Sequence, residues 1–136
     1  MKKGILVFFL WLIYITAICQ KTNLEIVTKG PALKFNNGTH TITLFFMTGF
    51  DDTVSLYLNK KLILHQFIKS LSRSDDTFIS YDISVNFKAR NILLELTKIK
   101  SNKIYSTYFV KGYGFVIFYL ENDNSIVYTN RAPMEQ

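Results

Sequence analysis

Asp51-Asp52 and Asp75-Asp76 are two acidic pairs, each set just before an apolar run. Clustered loop carboxylates can hold a hard cation such as Ca²⁺, which takes about 6 to 8 oxygen ligands, with Asn and main-chain carbonyls completing the shell. Asp123, next to Asn122, and Asp82 could join them only if several loops converge at one end of the fold. Turn chemistry explains the same residues more simply, because an Asp side chain accepts hydrogen bonds from its own backbone and keeps a loop hydrated. Asp51, Asp52, Asp75, Asp76 and Asp123 are therefore the Ca²⁺ candidates, yet no metal or other cofactor is expected. As catalytic carboxylates of a glycosidase they would need a groove of suitable width, and the chain is small for one.

The remaining reactive residues are sparse. His40 and His65 lie far apart, without Glu or Cys at ligand spacing, whereas a zinc site takes three or four N, S or O ligands. No serine sits in a G-x-S-x-G elbow. A Ser-His-Asp triad can still assemble from distant segments, which keeps a small hydrolase as an alternative. Gly112-Tyr113-Gly114 lacks the third glycine and the following helix of a phosphate loop, so it reads as a turn or bulge. No catalytic residue is assigned, and the chain is read as non-enzymatic. Tyrosine is the better lead. Tyr57 alternates with Leu56 and Leu58 on a wet strand face, and Tyr105, Tyr108, Tyr113 and Tyr128 fall near turns or polar neighbours. An exposed tyrosine offers a flat apolar ring with a polar tip, which suits a sugar or a protein partner. Tyr57, Tyr105, Tyr108 and Tyr113 are the ligand-binding candidates.

The elements that must carry these residues are strands. In residues 78–87, Ile79, Tyr81, Ile83, Val85 and Phe87 alternate with Ser80, Asp82, Ser84 and Asn86, the pattern of a half-buried strand. Residues 53–67 read as two strands about a tight turn at Asn59-Lys60, where Asn tolerates the positive φ of a type I′ turn. Further strands are expected at 23–28, 40–47, 91–99, 104–110, 115–120 and 126–130, separated by Gly, Pro and Asn-rich breaks. The run "FVIFYL" at 115–120 is apolar on both faces, as a covered central strand requires. Residues 65–74 carry Phe67, Ile68 and Leu71 at helix-like spacing but lack a cap, so they read as a strand end plus loop. Strand runs every 8 to 14 residues predict an all-β fold. The expected form is an antiparallel β-sandwich, Ig-like or jelly-roll-like, of about eight or nine strands.

The N-terminus and composition bound the compartment. Met1-Lys2-Lys3 precedes an uncharged run at 4–18, the head and core of a secretory signal peptide. That run is shorter than the roughly 20 residues a membrane-spanning helix needs, and no later run is long enough, so no integral span is expected after it. Ala17 and Cys19 fit the small −3 and −1 positions of a cleavage site, so residues 1–19 are the expected signal segment and Gln20 the first residue of a single domain at 20–136. Cys19 also resembles the cysteine of the bacterial lipobox, although Ile18 stands where that pattern has Gly, Ala or Ser. A lipoprotein anchored through Cys19 is thus the alternative to a secreted or periplasmic protein. The chain has one cysteine, so no disulfide can form within it. At 49% hydrophobic and 19% charged it is globular in composition. The net charge of +6 falls to +4 without Lys2 and Lys3, and it is spread without the basic cluster or module of a nucleic-acid binder. The expectation is an exported binding or interaction module for a glycan or protein surface. The alternatives are an assembly subunit that joins partners through edge strands and the small hydrolase.

Overall fold

The computed structural model describes residues 20–47, 50–70, 79–120 and 124–133. Among these there are ten strands and no helix. They are β1 (Gln20–Asn23), β2 (Glu25–Lys29), β3 (Thr39–Phe46), β4 (Asp51–Leu58), β5 (Lys61–Lys69), β6 (Ile79–Asn86), β7 (Leu93–Lys98), β8 (Lys103–Tyr108), β9 (Phe115–Tyr119) and β10 (Ser125–Thr129). They form two five-stranded sheets, sheet A in the order β1-β8-β7-β4-β5 and sheet B in the order β2-β10-β9-β3-β6. Among the described residues no helix is long and apolar enough to cross a membrane.

Both sheets are mixed, which corrects the expected antiparallel arrangement. β4–β5, β7–β8 and β9–β10 are antiparallel hairpins. β1–β8, β2–β10 and β3–β9 run parallel. Parallel neighbours need a connection that leaves the pair and returns. Between β3 and β9 the chain passes through β4 and β5 of sheet A, returns to sheet B for β6, and crosses again to β7 and β8 of sheet A. The expected first strand at 23–28 is in fact two strands. The chain changes sheets at Leu24, which is buried between them. This switch raises the strand count to ten.

The alternating residues explain why the sheets stack. Val54, Leu56, Leu58, Leu94, Leu96 and Tyr105 of sheet A share one buried cluster with Ile42, Leu44, Phe46, Ile83, Val85, Val116, Phe118, Ile126 and Tyr128 of sheet B. Phe46 stacks on Phe118 at 5.0 Å and meets the edge of Phe50 at 5.2 Å. Fully burying one such side chain is worth about 1.5–3 kcal/mol, so this layer dominates the stability. Sheet B is apolar on its other side too. Phe45, Ile117, Val127 and Val27 line up across β3, β9, β10 and β2, and the first three are buried. That is the two-sided burial expected of 115–120.

The β4–β5 hairpin turns at Asn59-Lys60 with φ of 47° and 68°, both positive as a type I′ turn demands. The register then shifts between Leu56 and Tyr57, leaving Ile63 as the extra residue of a bulge. Lys60 therefore holds a left-handed conformation that costs a β-carbon residue about 1 kcal/mol. Its ammonium reaches Glu95 at 2.8 Å on the surface, a contact worth a few tenths of a kcal/mol. Lys60→Gly should raise stability by about 0.5 kcal/mol despite losing that ion pair, as read from urea unfolding midpoints.

Candidate functional site

The aspartates do not assemble into a metal shell among the described residues, where no group of three or more His, Cys, Asp or Glu is placed to hold an ion. Asp75, Asp76 and Asp123 lie outside the described residues, as do Cys19 and the rest of the expected signal segment. Gln20, the expected first residue after cleavage, opens β1 opposite Lys103. Asp51 is exposed and pairs with the Lys100 ammonium at 3.3 Å.

Asp52 points the other way, into the sandwich, and is almost fully buried. Its Oδ1 accepts the Lys100 N–H at 2.7 Å. Its Oδ2 accepts the Ser101 N–H at 3.0 Å and the Ser101 hydroxyl. Burial pushes this carboxyl up, but the hydrogen bonds from Ser101, Lys100 and Thr53 outweigh it and hold the pKa below the ordinary Asp value. Asp52 is thus the tie that closes the β7–β8 turn, and its lone pairs are already engaged. The signal for this was present: Asp52 is in phase with Val54, Leu56 and Leu58, so the alternation extended two residues back points it inward. Lys98 is likewise in phase with Leu94 and Leu96, is buried, and lies over the Phe50 ring at 5.3 Å.

The four candidate tyrosines separate. Tyr105 is fully buried in the core, and Tyr113 is buried with its hydroxyl donating to the Gly30 carbonyl at 3.0 Å. Neither belongs to an outer surface. Tyr57 is half-buried on the outer face of sheet A, and Tyr108 is 63% exposed there. Tyr128, not singled out for binding, is fully buried against Phe109 and Tyr113. Its hydroxyl makes no well-formed hydrogen bond. Burial raises its pKa, and the nearby Val110 main chain opposes this only in part.

The outer face of sheet A gathers the surface apolar residues, and the strand registers show how. Leu62, Tyr57, Glu95, Ser106 and Asn23 form one row across β5, β4, β7, β8 and β1. His65, Ser55, Thr97, Ile104 and Lys21 form the next. Phe67 faces Thr53, whose carbonyl accepts the Ile99 N–H at 3.0 Å, so Phe67 and Ile99 flank Thr53 at one end. Leu93 and Tyr108 pair at the other. Leu62, Phe67 and Ile99 are 49%, 59% and 47% exposed. Together with Tyr108 they make four of the six exposed large hydrophobic residues among the described residues. Between the two apolar ends runs a polar band centred on His65, whose Nδ1 is 2.7 Å from the Ser55 hydroxyl. Among the described residues no carboxylate is hydrogen-bonded to this imidazole, so the pair lacks the orienting acid of a triad. His40 is structural: it packs in a three-ring cluster with Phe35 at 4.7 Å and Phe87 at 5.2 Å, the two phenyl rings being 5.7 Å apart, and its Nε2 lies on Asn36.

Nothing matches. No family model, no curated protein and no solved structure resembles the chain at a level that counts as a match.

Two predictions follow from the buried polar groups. Asp52→Ala strands two main-chain donors and should cost about 2–3 kcal/mol at pH 7. Because the folded pKa of Asp52 lies below its unfolded value of about 3.9, its contribution is present above that value and is lost as pH falls through the folded pKa. The gap in stability between wild type and Asp52→Ala, read by denaturant melts, should therefore narrow from pH 7 to pH 3. Tyr128→Phe removes a hydroxyl with no good partner and should leave stability unchanged or raise it by up to about 1 kcal/mol, as read from the same melts.

Proposed function

We propose that this chain is a non-enzymatic β-sandwich module that docks a protein partner on the outer face of sheet A. The observation that carries this reading is the concentration of exposed Leu62, Phe67, Ile99 and Tyr108 on one sheet face. Exposed apolar residues gathered on one face of a folded protein, here in two clusters flanking a polar band, are a recurrent feature of interaction sites. The aliphatic share favours a protein over a glycan, since sugar recognition relies on aromatic rings and Leu62 and Ile99 offer none. The polar band of His65, Ser55 and Thr97 would supply directional hydrogen bonds between two apolar anchors. The signal-like N-terminal run supports a role outside the cytoplasm.

The rival reading is assembly through an edge strand. It draws on β5, a nine-residue strand at the edge of sheet A. The two readings separate experimentally. Phe67→Ser with Ile99→Ser should leave the unfolding midpoint within about 0.5 kcal/mol of wild type, because both side chains are already exposed. The same pair should abolish cross-linking to whatever protein the wild type captures in its native extract, with each wild-type capture checked against an outer-face variant of sheet B, Thr41→Ser. Capture that survives the double substitution overturns the face. Oligomers of the purified chain at high concentration, dissociated by Gln66→Pro, would favour the edge.

A further inference from the structure

Sheet B ends at β6, and among the described residues nothing pairs with the far side of that strand. Which backbone groups face that side follows from the ladder. The Phe87 N–H donates to the Gly38 carbonyl at 3.1 Å, one step beyond the Thr39–Asn86 pair. Bonded and non-bonded pairs alternate along antiparallel strands. Ile79, Tyr81, Ile83 and Val85 therefore bond to β3, while Ser80, Asp82, Ser84 and Asn86 turn their N–H and C=O groups to the open side. Thr43, opposite Asp82, is in the same phase: its N–H points away from β6, to the Gly114 carbonyl at 3.0 Å.

This edge lacks the usual guards. Its eight residues include no Lys, Arg, Pro or Gly, and its register with β3 runs without a bulge. β5, an edge of sheet A, carries Lys61, Lys69 and a bulge instead. The other two edges, β1 and β2, are only four and five residues long. A long, regular edge with a single charge is the kind that accepts another strand.

We propose that the chain forms a two-fold dimer through β6, with Ile83 at the axis and sheet B continuous across both copies. In that register β6 is complementary to itself, as a two-fold interface requires. Asp82 lies opposite Ser84 of the second copy and Ser80 opposite Asn86, so all four residues that bond outward find a partner. On the inner face Ile83 meets its own copy and Tyr81 meets Val85. Centring the pair on Asp82 would set two carboxylates directly opposite each other. Centring it on Ser84 would leave Ser80 without a partner in the strand. A cavity of about 180 Å³ between β5 and β6 is lined in part by Leu58, Lys61, Ile63, Ser84, Val85 and Ile92. Tyr81 of the second copy, opposite Val85, comes to its mouth, and in its own copy that ring is only half-buried. Lys61 and Lys69 are exposed on the neighbouring β5 edge, so repulsion between copies keeps sheet A from fusing as well. Each copy uses its one β6, and assembly stops at two. The dimer involves neither Phe67 nor Ile99, so it stands or falls apart from the docking face of sheet A.

Sedimentation velocity of the full chain from about 5 to 500 μM should resolve monomer and dimer with a dissociation constant of about 100 μM or below, as a small interface allows. Ser84→Glu sets a carboxylate against Asp82 of the other copy on both sides of the axis and should weaken the dimer at least about tenfold. Ser84→Lys should tighten it at least about twofold, and adding Asp82→Lys to Ser84→Glu should restore it to within about threefold of wild type. Both positions are exposed, so the urea midpoint of each variant should show an intact fold. Three results overturn the inference: a monomer throughout the range, a dimer that Ser84→Glu leaves unchanged, or weakening by Ser84→Glu and Ser84→Lys alike.

Discussion

Ile42, Leu44 and Phe46 of sheet B and Val54, Leu56 and Leu58 of sheet A belong to one buried layer, and every other feature of the molecule depends on that layer staying closed. The chain has a single cysteine and so no internal disulfide. Closure must come from apolar burial, supplemented by polar ties where the strands end. Asp52 ties the β7–β8 turn at one end of sheet A. Asn130 ties the end of β10 to two other backbone segments, at Pro31 and at Gly112–Gly114, at the other end, where β8 hands over to β9. Each tie satisfies main-chain groups that would otherwise be left unpaired at a mouth of the sandwich, where such groups are costly.

The two outer faces diverge from this common layer. Sheet B carries a continuous apolar row, Phe45, Ile117, Val127 and Val27, with Ile117 fully buried. Sheet A exposes its outward apolar residues and breaks them with Ser55, His65 and Thr97. The difference follows from topology. β9 and β10 are short and central in sheet B, where bulky neighbours on both sides shield one another. β5 is an edge strand, so Leu62 and Phe67 have a neighbouring strand on one side only among the described residues. An edge position thus turns the same residue types into available surface.

Local pattern was enough for most of the strands. The alternation at 79–87 appears as inward Ile83, Val85 and Phe87 against outward Ser80, Asp82 and Ser84, because period 2 is a property of the backbone alone. The Asn59-Lys60 turn was legible for the same local reason. Strand direction was not legible, since a strand carries no record of which neighbour it will meet after a long excursion. The candidate tyrosines show the other limit. Tyr105 sits two residues from a turn and reads as wet, yet its register opposite Leu96 places it inside. Period 2 puts Tyr105 and Tyr108, three residues apart, on opposite faces, but which of the two turns inward is set by the cross-strand partners, and those are a tertiary fact. The parallel pairing of β2 with β10 was hidden because about 100 residues separate the two strands in the chain.

The charges on β5 bear on how the surface of sheet A can be used. Its sequence begins at Lys61 and ends at Lys69, with His65 midway. Two copies pairing their β5 edges antiparallel about His65 would set Lys61 of each against Lys69 of the other. Like charges directly opposite destabilise a strand pair, and terminal lysines are a recurrent device against edge-to-edge pairing. The bulge at Ile63 adds a local twist that spoils the same edge. Protection of this kind acts along the hydrogen-bonding direction and leaves the face untouched. Phe67, Leu62, Ile99 and Tyr108 project perpendicular to it, so the strand can resist its own copies while the face stays open to the partner proposed for it. An apolar face beside a guarded edge is the arrangement expected when binding has to be selective and self-assembly has to be avoided.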